Sequence, residues 1–441
     1  PILALGMAIC MLLSLVVVQA SAATTTDGLQ SQISAAAGSS VQIVLDGDVT
    51  LDQTIQIPAK TAVTITTDGA ARTVKRGEGL TAAMFNVPAG STLTLSGGES
   101  RLVLDGASVK ASAAMVTSEG TLELTNVDAK NAVNSKTGGA VYLTAGKLSV
   151  SGCSFTGNSA KTGGAIDTKT KVGIQMTVAD STFSANTATT NGGAINLMGT
   201  NTMTATNTAG AAVYVANTSA SFDGCTFTEN TVAGNTDSVG GALCFYAVSA
   251  SQTAITVSGS TFTGNTAPNG GAIGLSDSGS FRSGRAIVNW TDCSFTGNSA
   301  ADKGGAIAIP YSCENAMHCV VTLSGCTYSG NTAAQEPDFY SADKLNITVD
   351  GKVLDKNQYT LREGSILVTL KADYLSTLSV GQHTLGVNSV SGTAETVFTV
   401  TAAPAVVPTG DTTGLTLWVS LAALCGLGTL VVVNRKKREN G

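Results

Sequence analysis

Short runs in which apolar and polar residues alternate recur along most of the chain. Residues 41–45, 63–66, 102–104 and 147–150 are runs of this kind. A period of two places successive side chains on opposite faces of a β-strand. Gly and Asn separate the runs, and no amphipathic stretch between them is long enough for a packed helix. The pattern predicts an all-β protein.

One sequence unit recurs in the middle of the chain, and its copy at Cys153 reads CSFTGNSAKTGGAI. The asparagines of consecutive copies lie 27 to 44 residues apart, and the last copy lacks the Gly-Gly pair. A degenerate first copy precedes the others. A repeat of this length predicts a solenoid, in which each unit packs on its neighbours. The clear copies begin at Cys153, Ser181, Cys225, Ser260, Cys293 and Cys326.

Each repeat supplies the parts of one coil of a right-handed parallel β-helix. Cys153 and Phe155 share one face of a strand. Gly163 and Gly164 suit positive φ or a tightly packed corner, and Asn158 suits a left-handed corner where amides of successive coils stack. We expect three strands per coil, with Phe and Ile columns inside and with Asn and Gly-Gly bends outside.

The predicted β-helix extends over residues 23–340, with roughly 11–12 coils stacked about 4.8 Å apart between residues 38 and 340. A short helix opening at Asp27 is expected to close its first end, and residues 201–216 are expected to be an insertion. The residues expected to form the repeat columns are Phe155, Asn158, Gly163, Gly164, Phe183, Asn186, Gly192, Gly193, Phe227, Asn230, Phe262, Asn265, Gly270, Gly271, Phe295, Asn298, Gly304 and Gly305.

A different unit follows over residues 344–402. Alternating strands are predicted at 345–349, 358–361, 365–370, 383–387 and 396–400, a spacing typical of a β-sandwich. The stretch from Asp350 to Val387 resembles a small immunoglobulin-like module of clostridial surface and cellulose-degrading proteins. That resemblance implies a spacer.

The first 22 residues are uncharged and mostly apolar, and they end in Ala20-Ser21-Ala22. Small residues at this spacing are typical of a signal-peptide cleavage site, which makes Ala23 the expected mature start. The alternative is a transmembrane helix.

The C-terminal part predicts an anchor. Residues 415–433 are apolar and long enough, at about 1.5 Å per residue, to span a bilayer core, and 434–441 is a basic tail typical of the cytoplasmic side. Within the linker 403–414, Val406, Val407, Pro408, Thr409 and Gly410 precede the span. This layout resembles the sorting signal of Gram-positive wall proteins, although the family pattern is LPxTG. The resemblance implies that a sortase cleaves between Thr409 and Gly410 and joins Thr409 to peptidoglycan; the alternative is a plain membrane anchor.

Composition narrows the function. Charged residues make up 12% of the chain and aromatic residues 5%, with a net charge of −6, which argues against nucleic-acid binding. The only histidines are His318 and His383, so a metal site with several imidazoles is excluded. We predict no cofactor and no metal.

The cysteines of the repeats share one position with Ser181 and Ser260, which indicates a small inward side chain rather than a disulfide or a ligand. Cys313 and Cys319 bracket the loop CENAMHC, and in an exported protein they are candidates for a local disulfide. With His318 they would supply three metal ligands, but no fourth ligand is in view.

The order FxxN followed by GGA and an aliphatic residue, over about residues 126–333, resembles the repeat of chlamydial polymorphic outer-membrane proteins. The resemblance implies a β-helical surface adhesin, here anchored at its C-terminus to cell wall or membrane, with an unknown glycan or protein ligand. The alternative is a surface polysaccharide lyase or glycoside hydrolase. Such enzymes need clustered carboxylates, whereas those of the repeats, including Asp167, are scattered and are expected to be solvated.

Overall fold

The computed structural model describes residues 18–20, 25–169, 174–198, 202–206, 212–215, 219–246, 253–276, 286–309, 320–341, 346–354, 358–362, 367–389, 392–401, 418–421 and 431–434. The chain divides into two compact units, Pro1–Ala342 and Asp343–Gly441.

The first unit is a right-handed parallel β-helix, as predicted. Its strands form four sheets, which are called first to fourth in the order in which the chain visits them within a coil. Strands of adjacent coils pair in parallel and in register, so equivalent residues form columns along the stack. The first sheet contains Val18–Ala20, Ser40–Leu45, Ala62–Thr67, Thr92–Ser96, Thr121–Thr125, Gly146–Ser151, Ile174–Ala179, Ser219–Asp223, Thr253–Ser258, Ala286–Thr291 and Val320–Ser324.

The remaining sheets complete each coil. The second contains Val49–Leu51, Arg72–Arg76, Leu102–Asp105, Val127–Lys130, Ser154–Thr156, Thr182–Ser184, Thr226–Thr228, Thr261–Thr263, Ser294–Thr296 and Thr327–Ser329. The third contains Lys110–Ala111, Val133–Asn134, Ser159–Thr162, Thr187–Asn191, Thr231–Val232, Thr266–Asn269 and Ser299–Lys303. The fourth contains Ile55–Gln56, Phe85–Val87, Val116–Ser118, Val141–Leu143, Ile166–Thr168, Ile195–Met198, Leu243–Tyr246, Ile273–Ser276, Ile307–Ile309 and Phe339–Ser341.

Two predictions about the coils were wrong. The described residues form ten coils between Ser40 and Ser341 rather than 11–12, because insertions lengthen several coils. Most coils also have four strands rather than three, because the residues after each repeat asparagine pair as a separate third sheet.

Stacked aromatic rings fill the core of the repeat coils. The rings of Phe155 and Phe183 are parallel, with centroids 4.7 Å apart, and the stack continues to Tyr328. The inward residues of the fourth sheet, such as Ile166 and Ile195, are fully buried beside it. The strand spacing of about 4.8 Å equals a favourable ring separation, so one residue type can fill the whole column.

A helix closes the first end of the stack, as predicted. It spans Thr26–Ala35, begins at the N-cap Thr25, and buries Leu29 and Ile33 completely. The Thr26 hydroxyl donates to the Thr50 carbonyl at 3.1 Å, which fixes the helix to the first coil. The predicted insertion is also present, as an antiparallel hairpin of Thr202–Thr206 and Ala212–Val215.

The second unit is antiparallel. One sheet contains Lys352–Val353, Asn346–Val349, Gly381–Ser389 and Gly392–Val400 in that order, and Tyr359–Arg362 pairs with Leu367–Leu370 in another. Both sheets and the short helix Ala372–Leu375 bury side chains in one core, which includes Ile347, Val368, Leu375, Leu385 and Phe398. The five predicted strands are present; the immunoglobulin-like assignment is not confirmed.

The predicted terminal helices are not confirmed. Val18–Ala20 is a strand paired in parallel with Ser40–Leu45, and within the predicted anchor Trp418–Leu421 pairs antiparallel with Val431–Asn434. Val is β-branched and favours strands, and pairing satisfies the backbone groups of both segments. Across the described ranges, no helix is long and apolar enough to cross a membrane.

Candidate functional site

A ladder of asparagine side chains runs through the interior of the repeat coils. Asn158 Nδ2 donates to Asn186 Oδ1 at 3.0 Å, and the backbone N–H of Asn158 donates to the same oxygen at 3.1 Å. Asn186 Nδ2 also donates to the carbonyl of Phe155 at 2.9 Å. The same bonds repeat from each asparagine of the ladder to the next, so the amides satisfy one another. The ladder consists of Asn158, Asn186, Asn230, Asn265, Asn298 and Asn331.

These asparagines are buried, which corrects the expectation that they lie at exposed, left-handed bends. The left-handed residue is the one before each asparagine: Gly157 has a φ of 62° and Glu229 has a φ of 54°. That single turn rotates the chain so that Asn158, three residues after Phe155, also points inward. The FxxN spacing is therefore the spacing of two inward residues on either side of a left-handed bend.

The Gly-Gly pair serves two different purposes. Gly163 has a φ of 57°, a conformation that favours glycine. At Gly164 a Cβ would lie 2.1 Å from the carbonyl oxygen of Gly193 in the next coil, so the close approach of the two backbones excludes any side chain. The pair therefore fixes the corner between the third and fourth sheets.

The cysteine and serine position is a hydrogen-bonding column. The backbone N–H of Cys153 donates to Ser181 Oγ, and that of Cys225 donates to Ser260 Oγ, both at 3.1 Å. Cys225 Sγ donates in turn to the Asp223 carbonyl at 3.3 Å. The position therefore needs a small side chain that both accepts and donates, which serine and cysteine supply. The described cysteines are all free thiols.

The outward residues of the second sheet form a surface of hydroxyl groups, which we call the hydroxyl face. Six consecutive coils contribute two columns of Ser or Thr in register, each side chain exposed or half-exposed. The hydroxyls are spaced about 4.8 Å along the stack and about 6.6 Å across it. The hydroxyl face consists of Ser154, Thr156, Thr182, Ser184, Thr226, Thr228, Thr261, Thr263, Ser294, Thr296, Thr327 and Ser329.

The hydroxyl face differs from the outward face of the first sheet. There, charged or apolar residues interrupt the hydroxyl columns at Glu123, Ala179 and Asp223. The hydroxyl face itself contains no charged side chain over its six coils. It is thus the longest uncharged and regular polar surface in the described part of the β-helix.

Asp167 is buried, which corrects the expectation that it is solvated. It lies on the fourth sheet between Tyr142 and Asn196, and Asn196 Nδ2 donates to Asp167 Oδ1 at 2.9 Å. The Thr162 hydroxyl bonds its other oxygen. The Gly-Gly corner covers this outward position, since a Cβ at Gly163 would lie 2.8 Å from Asp167 Cβ. Burial raises the pKa of Asp167 to about 7.

One charged group borders the hydroxyl face. Asp128 and Lys130 occupy the columns of Ser154 and Thr156 one coil earlier, and Asp105 pairs with Lys130 one coil further. Arg101 Nε donates to Asp128 at 2.9 Å, and Lys130 Nζ lies 3.9 Å from Asp105. Each carboxylate therefore lies beside a cation rather than beside the other carboxylate.

Both ring nitrogens of His383, the histidine of the second unit, have hydrogen-bond partners within that unit. His383 Nδ1 lies 2.6 Å from Asp350 Oδ2, and Nε2 lies 2.8 Å from the Ser379 carbonyl. The hydrogen bond to Asp350 raises the pKa of His383 because it stabilises the imidazolium. Within the residues that the structure describes, no three His, Cys, Asp or Glu side chains are grouped as a metal site.

Several predicted site residues lie outside the described residues. These are Cys313 and Cys319, the sorting-motif residues Val406 to Gly410, and the cleavage-site residues Ala22 and Ala23; Ala20 ends the strand Val18–Ala20.

The fold and its columns define a β-helix built from FxxN and GGA repeats. A family model of the Chlamydia polymorphic membrane protein repeat matches residues 152–169, 180–197, 259–276 and 292–310. The chain thus carries these repeats, in four of the copies recognised from the sequence. No curated protein and no solved structure matches the chain significantly.

Proposed function

We propose that the chain is a non-catalytic, adhesin-like protein of the cell surface that binds its ligand along the hydroxyl face. The matched repeats support the surface-protein class. The observation that carries the binding site is the unbroken, uncharged hydroxyl array over six coils. Such an array offers donors and acceptors at a fixed repeat and attracts neither polyanions nor polycations. A neutral polysaccharide is the ligand class that fits it best.

We further propose that the protein is exported through residues 1–22 and retained through its C-terminal part. The wall-linked form would be joined through Thr409, after a sortase cuts the bond to Gly410. Residues 344–402, as an immunoglobulin-like module, would serve as a spacer that precedes the anchor in the sequence. Mass spectrometry of the C-terminal peptide released by cell-wall digestion tests the linkage. A peptide that continues through Gly410 would contradict cleavage by a sortase and would support the plain membrane anchor.

Binding of the full chain, in detergent, to arrayed neutral polysaccharides and matrix proteins tests the binding site. Replacing Thr226, Thr228, Thr261 and Thr263 by alanine removes four hydroxyls of the hydroxyl face and should weaken polysaccharide binding about tenfold or more. The matched control removes four hydroxyls from the first sheet, at Ser149, Thr177, Ser221 and Thr256, and should change binding less than about twofold. Equal losses in both variants, or binding to matrix proteins alone, would contradict the proposal.

The charged group at the border is the place to test the alternative function, a polysaccharide lyase or hydrolase. Asp105, Asp128, Arg101 and Lys130 place two acids with two cations on one face. Hydrolases need one carboxyl that holds a proton beside one that does not, and here each acid has its own cation. If the chain depolymerises an arrayed polysaccharide and Asp105→Asn abolishes that activity, the protein is an enzyme rather than a non-catalytic adhesin.

A further inference from the structure

The order of thiols and hydroxyls changes at the end of the cysteine and serine column. Along the stack the column reads Cys153, Ser181, Cys225, Ser260 and Cys293, so thiols alternate with hydroxyls. The last coil breaks the alternation, because Cys326 follows Cys293 directly. Ser294 pairs with Thr327 and Phe295 with Tyr328, which places the two cysteines at equivalent positions immediately before adjacent, paired strands.

The spacing of this pair suits a covalent link. Adjacent strands lie about 4.8 Å apart, within the Cα separation of about 4.4–6.8 Å that disulfides span. The Thr327 N–H donates to the Cys293 carbonyl at 2.9 Å, and this bond holds the two coils together beside the cysteines. No other two described cysteines of the column occupy adjacent coils.

The two thiols have different environments. Cys293 is buried, with 1% of its surface exposed, whereas Cys326 is half-buried. The Cys293 thiol donates to the carbonyls of Val257 and Thr291, each at 3.4 Å. Hydrogen bonding between the two side chains raises the pKa of Cys293 and lowers the pKa of Cys326 to about 7. The more exposed cysteine, Cys326, is therefore the one whose thiolate forms at neutral pH.

We propose that Cys293 and Cys326 form a reversible disulfide that ties the last coil to the coil before it. The oxidant is a disulfide-bonded small molecule or an exported protein disulfide. The Cys326 thiolate attacks one sulfur of the donor, and the other sulfur leaves as a thiolate. Cys293, on losing its proton, then attacks the Cys326 sulfur and releases the second donor thiol. Two protein thiols are oxidised and one donor disulfide is reduced.

The proposed disulfide lies at the end of the stack, where it would hold the last coil in place. The helix Thr26–Ala35 covers the first coil, whereas the core residues of the last coil, Leu323, Tyr328 and Phe339, are only partly buried. The last coil pairs with another coil on one side only, and its core residues are less buried, so we expect it to open before the coils inside the stack. A disulfide to Cys293 restricts that opening, and reduction releases it.

Peptide mapping of the full chain tests the link. After equilibration in oxidised glutathione, denaturation in excess alkylating agent and chymotrypsin digestion, Cys293 lies on the peptide 291–295 and Cys326 on 324–328. Cys313 and Cys319 fall on 312–323, so their products are distinct. We expect the pair 291–295 and 324–328 to be crosslinked, and to be released by reduced glutathione. Recovery of both peptides alkylated from the oxidised sample would overturn the proposal.

A matched pair of variants tests the consequence. Cys326→Ser recreates the Cys-then-Ser order that occurs twice in the column, so it retains the acceptor and should fold. In the unaltered chain, oxidation should slow proteolysis within Val320–Ser341 about tenfold, and in Cys326→Ser it should not. Cys225→Ser, which removes a cysteine with serine neighbours, should retain both the crosslink and the slowing. Slowing that persists in Cys326→Ser, or no slowing in the unaltered chain, would count against the link.

Discussion

The early coils and the repeat coils bury polar groups in opposite ways. In the second sheet, the column that begins with Val49, Val74 and Leu104 continues with Ala129 and then with the phenylalanine stack. The early, aliphatic part of the stack buries a single cation, Arg76, which is 2% exposed. The later part buries a ladder of neutral amides.

Arg76 acts as a donor to loop carbonyls. It donates to the Leu80 carbonyl at 2.9 Å and bonds that of Ala82 as well. Among the described residues, no carboxylate forms an ion pair with it, and burial lowers its pKa to about 10. The guanidinium thus supplies the hydrogen bonds that water would otherwise donate to the carbonyls of Leu80 and Ala82.

The difference shows what a repeating polar core requires. An amide has both donors and an acceptor, so each asparagine satisfies the next, and the ladder ends only where Asn331 donates to Asp338 at 2.9 Å. A guanidinium only donates, and two stacked guanidiniums would repel each other. A buried arginine can therefore occupy one coil only, whereas asparagines can be stacked in six successive coils.

Asn230→Ala should cause the largest loss of stability. It removes the bonds from Nδ2 to Phe183 and Asn265 and leaves two donors of Asn186 unpaired inside the stack. We expect the free energy of unfolding to fall by about 4 kcal/mol, measured by urea denaturation. Thr263→Ala, an exposed substitution in the next coil, is the control. A loss below about 1 kcal/mol would mean that the ladder is not cooperative.

Arg76→Met should cost less, because it also removes a buried charge. The carbonyls of Leu80 and Ala82 lose their donor, and we expect the free energy of unfolding to fall by about 3 kcal/mol. Lys75→Met, the exposed neighbour, should be nearly neutral. If Arg76→Met is as stable as the unaltered chain, the hydrogen bonds only offset the desolvation of the guanidinium.

Asp167→Asn should have the opposite sign, and its effect should grow with pH. The pKa of Asp167 is about 7 in the folded chain against 3.8 for the free group, so its contribution is fully present below about pH 4 and is lost as pH rises through 7. Asn occupies the same position in the next coil, at Asn196. We expect the substitution to raise the free energy of unfolding by up to about 4 kcal/mol at pH 8 and hardly at all at pH 4.

Thermal unfolding at a series of pH values measures this difference, with the exposed Asp52→Asn as the control. An effect of Asp167→Asn that is independent of pH would show that the pKa of Asp167 is the same in the folded and the unfolded chain, so that burial in the column does not raise it.

The sequence by itself determined the parallel β-helix, the inward Phe column, the closing helix and the strands of the second unit. Alternation and repetition are local properties, and equal strand spacing converts them into columns. Only the tertiary structure decided which polar residues are buried. A left-handed turn at Gly157 brings Asn158 inside, and the Gly-Gly corner covers Asp167. The sequence does show small or uncharged residues at the later positions equivalent to Asp167. Burial there still depends on how the chain returns after a full coil, and the pairing of Cys293 with Cys326 likewise depends on the stacking of one coil on another.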